Sequence, residues 1–212
     1  RQKVRPLLSE NATQSVFSLI NEQLARYDDF IITTDVGQHQ LWASHLIEVS
    51  APRRFITSGG LGTMGFGLPA ALGAALANPQ SLVLCISGDG SFQMNLQEMA
   101  TAVDHRLPVK VAIINNHSHG LVRQWQELFL EHRYAHTLLS STPDYVKLAE
   151  AYQWQGRRIS AEDFAESNAD SLKESLQWLL ACEGPALLDI VVPTTDLIKP
   201  MARPGGSLTE LV

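Results

Sequence analysis

Cysteine is scarce in this 212-residue sequence, and long hydrophobic or strongly basic segments are missing. The two cysteines, Cys85 and Cys182, form neither a disulfide framework nor a zinc-binding spacing, which is typical of a reducing compartment. No apolar run approaches the ~20 residues of a membrane span and no signal peptide opens the sequence, so we predict no membrane partner and a cytoplasmic or organellar location. The net charge of −6 argues against nucleic acid as a partner.

Short apolar runs rich in β-branched residues recur along the chain and predict buried parallel strands. They are FIITT (30–34), LVLCIS (82–87), VKVAII (109–114) and ALLDIVV (186–192). Apolar residues at helical spacing lie between them, over 95–107 and over roughly 120–132. This alternation predicts an α/β fold, a three-layer sandwich with a mostly parallel central sheet and helices on both faces.

The regular pattern ends at Pro193, where the sequence becomes rich in proline, glycine and threonine. We therefore predict one domain over residues 1–192 and a C-terminal tail over 193–212 that lies over or near the active site. The first residue is Arg1 and not methionine. We accordingly expect either a processed chain or a piece of a longer one.

The segment SGDGSFQMN (87–95) places the carboxylate of Asp89 between two glycines, directly after a predicted strand. Asn116 follows the next predicted strand, and parallel strands end at the same edge of a sheet, so the two side chains should converge. Carboxylate and amide oxygens suit Mg²⁺, which keeps few protein ligands. Gly90 and Ser91 would offer N–H groups and a hydroxyl to an anion. The alternative is that these side chains only close tight turns.

A second interpretation rests on GLGTMG (60–65), which matches the G-x-G-x-x-G pattern of dinucleotide-binding oxidoreductase domains. Asp89 would then be the acid that binds the ribose. Two observations weaken this interpretation. The preceding strand would be RRFITS (53–58), which is short and starts with charge, and a ribose-binding acid needs no flanking glycines.

Several longer segments resemble the large catalytic subunit of acetolactate (acetohydroxyacid) synthase, a thiamine-diphosphate (ThDP) enzyme. The segments are TTDVGQHQLWA (33–43), SGGLGTMGFGLPAALGA (58–74), GDGSFQMNLQEMATA (88–102), GLVRQWQELF (120–129) and PDYVKLAEAY (143–152). The resemblance implies ThDP and Mg²⁺ as cofactors. It also implies decarboxylation of pyruvate and transfer of the two-carbon unit to a second 2-keto acid, in branched-chain amino acid biosynthesis.

The same resemblance implies the metal ligands and the residues around the cofactor. The side chains of Asp89 and Asn116 and the main-chain carbonyl of Ser118 are expected to ligate Mg²⁺. The residues expected to surround ThDP are Val36, Gly37, Gln38, His39, Gly62, Met64, Gly88, Asp89, Gly90, Ser91, Asn116 and Ser118.

Three of the residues implied by the resemblance are expected to contact the reacting groups. Met64 is expected to hold the two cofactor rings in a bent shape, since methionine is large, adaptable and apolar. The carbonyl of Gly62 is expected to accept a hydrogen bond from the aminopyrimidine. Trp125 is expected to shape the pocket for the second keto acid, although its place on the apolar stripe of a helix also predicts core packing.

The resemblance implies further parts that this sequence does not contain. One is an N-terminal pyrimidine-binding domain with a glutamate that protonates the cofactor; another is a middle domain that contacts FAD in the full-length enzyme. We therefore expect a fragment or a split-gene subunit, inactive alone and completed by a pyrimidine-binding domain from another chain or from the missing N-terminal part. A homodimer or higher oligomer is expected, and a regulatory small subunit is a further candidate partner. A third interpretation is a non-catalytic remnant that keeps the fold without turnover.

Overall fold

The computed structural model describes residues 11–49, 51–160 and 169–207, together with residues 209 and 211. Within these ranges the strands are β1 (Phe30–Thr34), β2 (Phe55–Thr57), β3 (Leu82–Gly88), β4 (Lys110–Asn115), β5 (Gln155–Ser160) and β6 (Ala186–Val191). They form one sheet in the order β2-β1-β3-β4-β6-β5. Every neighbouring pair is parallel, which confirms the predicted α/β fold.

Helices cover both faces of the sheet and make the outer two layers. They are α1 (Ala12–Leu24), α2 (Gln38–Leu46), α3 (Gly67–Ala77), α4 (Asp89–Phe92), α5 (Met99–Asp104), α6 (Gly120–Phe129), α7 (Tyr145–Ala151) and α8 (Ala169–Ala181), with a 3-10 turn at Leu96–Glu98. Apolar residues of α1, α2 and α8 form the core on one face. Those of α3, α5 and α7 form the core on the other. Burial on both sides explains why the central strands β1, β3, β4 and β6 are largely apolar.

The structure changes the bounds of the predicted helices. The segment 95–107 is divided into the 3-10 turn and the short helix α5. The helix ends early because Arg106 has a φ of 52°, which turns the chain, and the N–H of Leu107 then donates to the carbonyl of Ala102. The helix predicted over 120–132 ends at Phe129.

The edge strands β2 and β5 were not among the predicted strands. Gln155, Arg157 and Arg158 of β5 are exposed, so this strand lacks the apolar pattern of a central strand.

Residues after Pro193 pack against the start of α1, where Asp196 accepts hydrogen bonds from the N–H and hydroxyl of Thr13 at 2.9 and 2.8 Å. The division of the chain at residue 192 stays a prediction, and residues 1–10, 208, 210 and 212 lie outside the described residues. Among the described residues, no helix is long and apolar enough to cross a membrane.

Candidate functional site

A cavity lies at the carboxyl end of the sheet, beside the ends of β1, β3 and β4. The chain leaves β1 for β2 on one side and returns with β3 on the other, so this is the point where the strand order reverses and where open α/β sheets bind ligands. All residues predicted to surround ThDP line this cavity: Val36, Gly37, Gln38, His39, Gly62, Met64, Gly88, Asp89, Gly90, Ser91, Asn116 and Ser118.

Asp89 begins α4 directly after β3, and it is 2% exposed. Its Oδ2 is buried and has no hydrogen-bond partner among the described residues. Burial raises the pKa of this carboxyl to about 7, against the main-chain N–H groups of Gly90 and Ser118, which lower it. The Tyr145 hydroxyl donates to the Asp89 carbonyl at 2.6 Å and fixes the turn. A buried carboxylate oxygen without a partner is costly, and a bound cation would remove that cost.

The turn after β4 brings Asn116 and Ser118 to the same cavity as Asp89. The Oδ1 of Asn116 accepts from the N–H of Ser118 at 3.1 Å, and the Ser118 hydroxyl donates to the carbonyl of Thr137 at 2.8 Å. Within the described ranges, no three His, Cys, Asp or Glu side chains converge as metal ligands. An ion bound here would thus depend on amide and carbonyl oxygens beside one carboxylate, a donor set that Mg²⁺ accepts.

The two glycines around Asp89 are required by close packing. A Cβ on Gly88 would lie 2.6 Å from Nδ1 of His39, and one on Gly90 would lie 3.0 Å from the ring of His119. His39 is 6% exposed, and its Nε2 has no partner among the described residues. Burial lowers the pKa of His39 to about 3, so the ring is neutral at neutral pH. The residues that line the cavity therefore include a second buried polar atom whose hydrogen-bonding capacity is unused.

The polar atoms of the Gln38 side chain form hydrogen bonds with other residues of the protein and not with an expected phosphate. Its Nε2 donates to Oε1 of Gln124 and to the carbonyl of Asp196, both at 2.7 Å. Its Oε1 accepts from Nδ2 of Asn116 at 3.1 Å. Any contact of Gln38 with an anion would thus come from its main-chain N–H at the start of α2.

Asp35 is not among the predicted site residues, yet its side chain holds the cavity wall together. Asp35 is 1% exposed, and its Oδ1 accepts from the N–H groups of Val36 and Gly65, each at 2.8 Å. Its Oδ2 accepts from the N–H of Gly67 and the hydroxyl of Ser87 at 3.3 and 3.5 Å. Burial raises the pKa of Asp35 despite these bonds. The one available signal was an acidic residue directly after a predicted strand.

The residues expected to contact the reacting groups lie at different depths. Met64 and Gly62 line the cavity, and Gly62 has a φ of 69° that favours glycine. Trp125 does not line it; its indole packs edge-on against Phe129, with ring centroids 6.2 Å apart. Trp125 is 42% exposed, so it is not a core residue. Val122, one turn earlier on α6, does line the cavity.

The strand order does not support the dinucleotide-binding interpretation. That fingerprint requires the strand before the glycine-rich loop to neighbour the strand that carries the ribose-binding acid. Here the loop 60–65 follows β2 and Asp89 follows β3, and β1 lies between these two strands.

Comparison with known proteins gives a family. Residues 35–190 match the family model described as thiamine pyrophosphate enzyme, C-terminal TPP binding domain. The chain is 45% identical over 184 residues to the acetolactate synthase isozyme 2 large subunit of Escherichia coli (strain K12), covering 87% of this chain and 32% of that protein. It is 41% identical over 208 residues to a probable acetolactate synthase large subunit of Methanocaldococcus jannaschii, covering 98% and 34%.

A fungal relative gives the same result. The mitochondrial acetolactate synthase catalytic subunit of Aspergillus candidus is 46% identical over 187 residues, which cover 88% of this chain and 26% of that protein. The chain thus spans about a third or less of the length of these relatives. Because the family model covers most of the chain, the chain belongs to the family of C-terminal TPP binding domains of thiamine pyrophosphate enzymes.

Proposed function

We propose that this chain is the diphosphate- and Mg²⁺-binding domain of a ThDP-dependent acetolactate synthase. The observation that carries the proposal is the buried Oδ2 of Asp89, which has no partner and lies in one cavity with Asn116 and Ser118. A divalent cation would satisfy this oxygen and favour the charged form of the carboxyl. The relatives, all named as acetolactate synthase subunits, supply the reaction class.

Mg²⁺ would be held by the Asp89 carboxylate, Oδ1 of Asn116 and the main-chain carbonyl of Ser118. These groups leave the remaining positions to water and to phosphate oxygens, as Mg²⁺ sites commonly do. The N–H groups of Gly90 and Ser91 would bind the diphosphate.

The VGQH turn (36–39) would contact the diphosphate from the opposite wall, with the neutral His39 ring as a hydrogen-bond partner. Met64 would pack against the cofactor rings, and the Gly62 carbonyl would accept from the amino group of the pyrimidine. When bound, ThDP supplies the nucleophilic carbon that adds to the 2-keto group and the cationic ring that stabilises the electron pair released on decarboxylation. The residues of this chain orient that carbon and exclude water from it.

Exposed apolar side chains at the mouth of the cavity support the proposal that a second protein domain binds there. Leu61 is 91% exposed beside Gly62, and Val122 is 54% exposed although it lines the cavity. Exposed apolar side chains around a binding site are typical of an interface. A pyrimidine-binding domain would cover them, and Trp125 would then help to form the pocket for the second 2-keto acid. FAD, a homo-oligomer and a regulatory subunit would belong to the larger assembly.

A binding experiment tests the cofactor. Calorimetric titration of the purified protein with Mg²⁺ and ThDP should show saturable binding that is lost when Mg²⁺ is chelated, whereas NAD(H) should not bind. Saturable binding of NAD(H) without binding of ThDP would contradict the proposal and favour the dinucleotide interpretation.

An activity experiment tests the need for a partner. With pyruvate, ThDP and Mg²⁺, the 212-residue chain should form no acetolactate alone and should form it when mixed with a pyrimidine-binding domain. Robust acetolactate formation without a partner would refute the requirement. Cofactor binding without turnover in any mixture would identify a non-catalytic module.

A further inference from the structure

Gln124 is a fully buried amide on α6 that lies outside the cavity and has no role in the proposed chemistry. Its Oε1 accepts from the N–H of Ile198 at 3.0 Å and from Nε2 of Gln38 at 2.7 Å. Its Nε2 donates to the carbonyl of Ile198 at 2.7 Å and to Sδ of Met201 at 3.4 Å. Gln124 therefore connects the segment 194–201 to the floor of the site.

The main chain of Ile198 leaves only one orientation for this amide. Ile198 offers both an N–H and a carbonyl to Gln124, so a flipped amide would oppose donor to donor and acceptor to acceptor. The Oε1 of Gln124 must then face Gln38, whose Nε2 must turn towards it. The carbonyl of Asp196 accepts from the same Nε2 and reinforces this orientation.

The orientation passes through Gln38 to the expected metal ligand. Because Nε2 of Gln38 donates to Gln124, the Oε1 of Gln38 faces Asn116. Asn116 can bond to this oxygen only through its donor, Nδ2. The oxygen of Asn116 is thereby directed to the other side, where it accepts from Ser118. The Thr194 hydroxyl also donates to the Asn116 carbonyl at 2.7 Å, so the same segment holds the main chain of this turn.

A glycine makes this contact sterically feasible. A Cβ on Gly120, the first residue of α6, would collide with both Nδ2 of Asn116 and Oε1 of Gln38. The start of the helix that carries Gln124 is therefore shaped to admit the Asn116–Gln38 hydrogen bond.

We propose that Gln124 is a positioning residue that couples docking of the segment 194–201 to the orientation of the Asn116 amide, and through it to divalent-cation affinity. This inference rests on the proposed function. Without the chain of amides, Asn116 could turn its NH₂ group towards the cation, which would weaken binding. Coupling of this kind is reciprocal, so a bound cation should also tighten the docking of the segment.

The test compares Gln124→Met with Gln23→Met, since Gln23 is also buried but bonds only to Glu22, Arg26 and Gln177 in the described structure. Mg²⁺ affinity is measured by calorimetry at saturating ThDP. Gln124→Met should weaken it by about 10-fold, the usual range for groups that orient metal ligands. Gln23→Met should leave it unchanged.

Hydrogen exchange at the Ile198 amide gives a readout that does not depend on activity. Mg²⁺ with ThDP should slow this exchange in the unchanged protein and have little effect in Gln124→Met. Unaltered Mg²⁺ affinity in Gln124→Met, or an equal loss in Gln23→Met, would overturn the inference. If the unchanged protein binds no Mg²⁺ with ThDP, the proposed function fails and the inference that rests on it is overturned as well; loss of the inference alone is recognised by normal Mg²⁺ binding in both the unchanged protein and Gln124→Met.

Discussion

The two ends of the central sheet differ in whether their buried polar groups have hydrogen-bond partners. At the amino end, the Lys110 side chain at the start of β4 is 2% exposed, and its Nζ donates to the carbonyls of Cys182 and Gly184 at 2.5 and 2.6 Å. Burial lowers the pKa of Lys110 to about 8. At the carboxyl end, Asp89 and His39 line the cavity, and one buried side-chain atom of each has no hydrogen-bond partner among the described residues.

The difference separates groups that serve the fold from groups that serve a ligand. Lys110 donates to two main-chain carbonyls of the turn between α8 and β6. Asp89 and His39 line the cavity and retain unused binding capacity. A third unpartnered atom, Oε1 of Gln14, lies on α1 outside the cavity, and the structure offers no explanation for it.

The largest expected effect comes from Asp89→Asn. Removing the one carboxylate of the site should weaken Mg²⁺ binding by more than the roughly 10–100-fold that the loss of a ligand-orienting group costs. The free energy of unfolding of the cofactor-free protein should not fall, because an unpaired buried carboxylate is removed. Calorimetry and urea denaturation measure the two quantities. Asp29→Asn, which removes an exposed partner of Arg54, is the control; retained Mg²⁺ affinity in Asp89→Asn would break the comparison.

The next effect is a pH dependence caused by His39. Its pKa is about 3 in the folded protein and 6.5 in the unfolded chain, so the unfolded chain alone takes up a proton between these values. Stability present above pH 6.5 is therefore lost as the pH falls, by on the order of 3 kcal/mol at pH 4. His39→Leu should lack this part of the loss in urea denaturation at pH 7 and pH 4. Replacing the exposed His136 by glutamine should not change it; an unchanged loss in His39→Leu would contradict the assignment.

Lys110→Met should affect stability and spare the site. Two partly buried carbonyls lose their donor, so the free energy of unfolding should fall by about 1–3 kcal/mol. Mg²⁺ and ThDP affinities should match those of the unchanged protein, since Lys110 lies at the opposite end of β4. Lys147→Met, at an exposed position on α7, is the matched control. A loss of cofactor affinity in Lys110→Met would contradict the conclusion that buried polar groups at the amino end of the sheet serve only the fold.

The smallest expected effects come from a pair of glycines and have opposite signs. Gly73→Ala on α3 meets nothing within 4 Å and should raise the free energy of unfolding by about 0.5–1 kcal/mol. Gly88→Ala would push against the buried His39 ring and should lower it by about 1 kcal/mol or more. Urea denaturation of both variants is the measurement. Equal effects would show that the site is no more tightly packed than the helix surface.

The central strands could be predicted because burial on both faces selects unbroken apolar runs. The predicted strand at 109–114 differs from β4 by one residue at each end, and its polar neighbours Lys110 and Asn115 are both buried by the sheet. The shared edge of Asp89 and Asn116 could be predicted from the same logic, since parallel strands end together. The cofactor roles of these residues stay predictions.

Other features leave no signal in a single sequence. β5 is an exposed edge strand with a polar sequence, QGRRIS. The hydrogen bond between Gln38 and Gln124 joins residues 86 positions apart, and neither glutamine belongs to a periodic pattern. Asp35 and Asp89 both follow strands directly, but only the tertiary structure shows that both oxygens of Asp35 accept hydrogen bonds while Oδ2 of Asp89 has no partner among the described residues.

The outline of the cavity depends on a single acidic side chain that no ligand needs to touch. From its buried position, Asp35 ties the loop after β1 to the loop before α3 and to the end of β3. The cavity walls are therefore held at a fixed spacing before a ligand binds. Little binding free energy is then spent on ordering them. Grafting the ligand-facing residues onto another sheet without this clamp would transfer the contacts but not their rigidity.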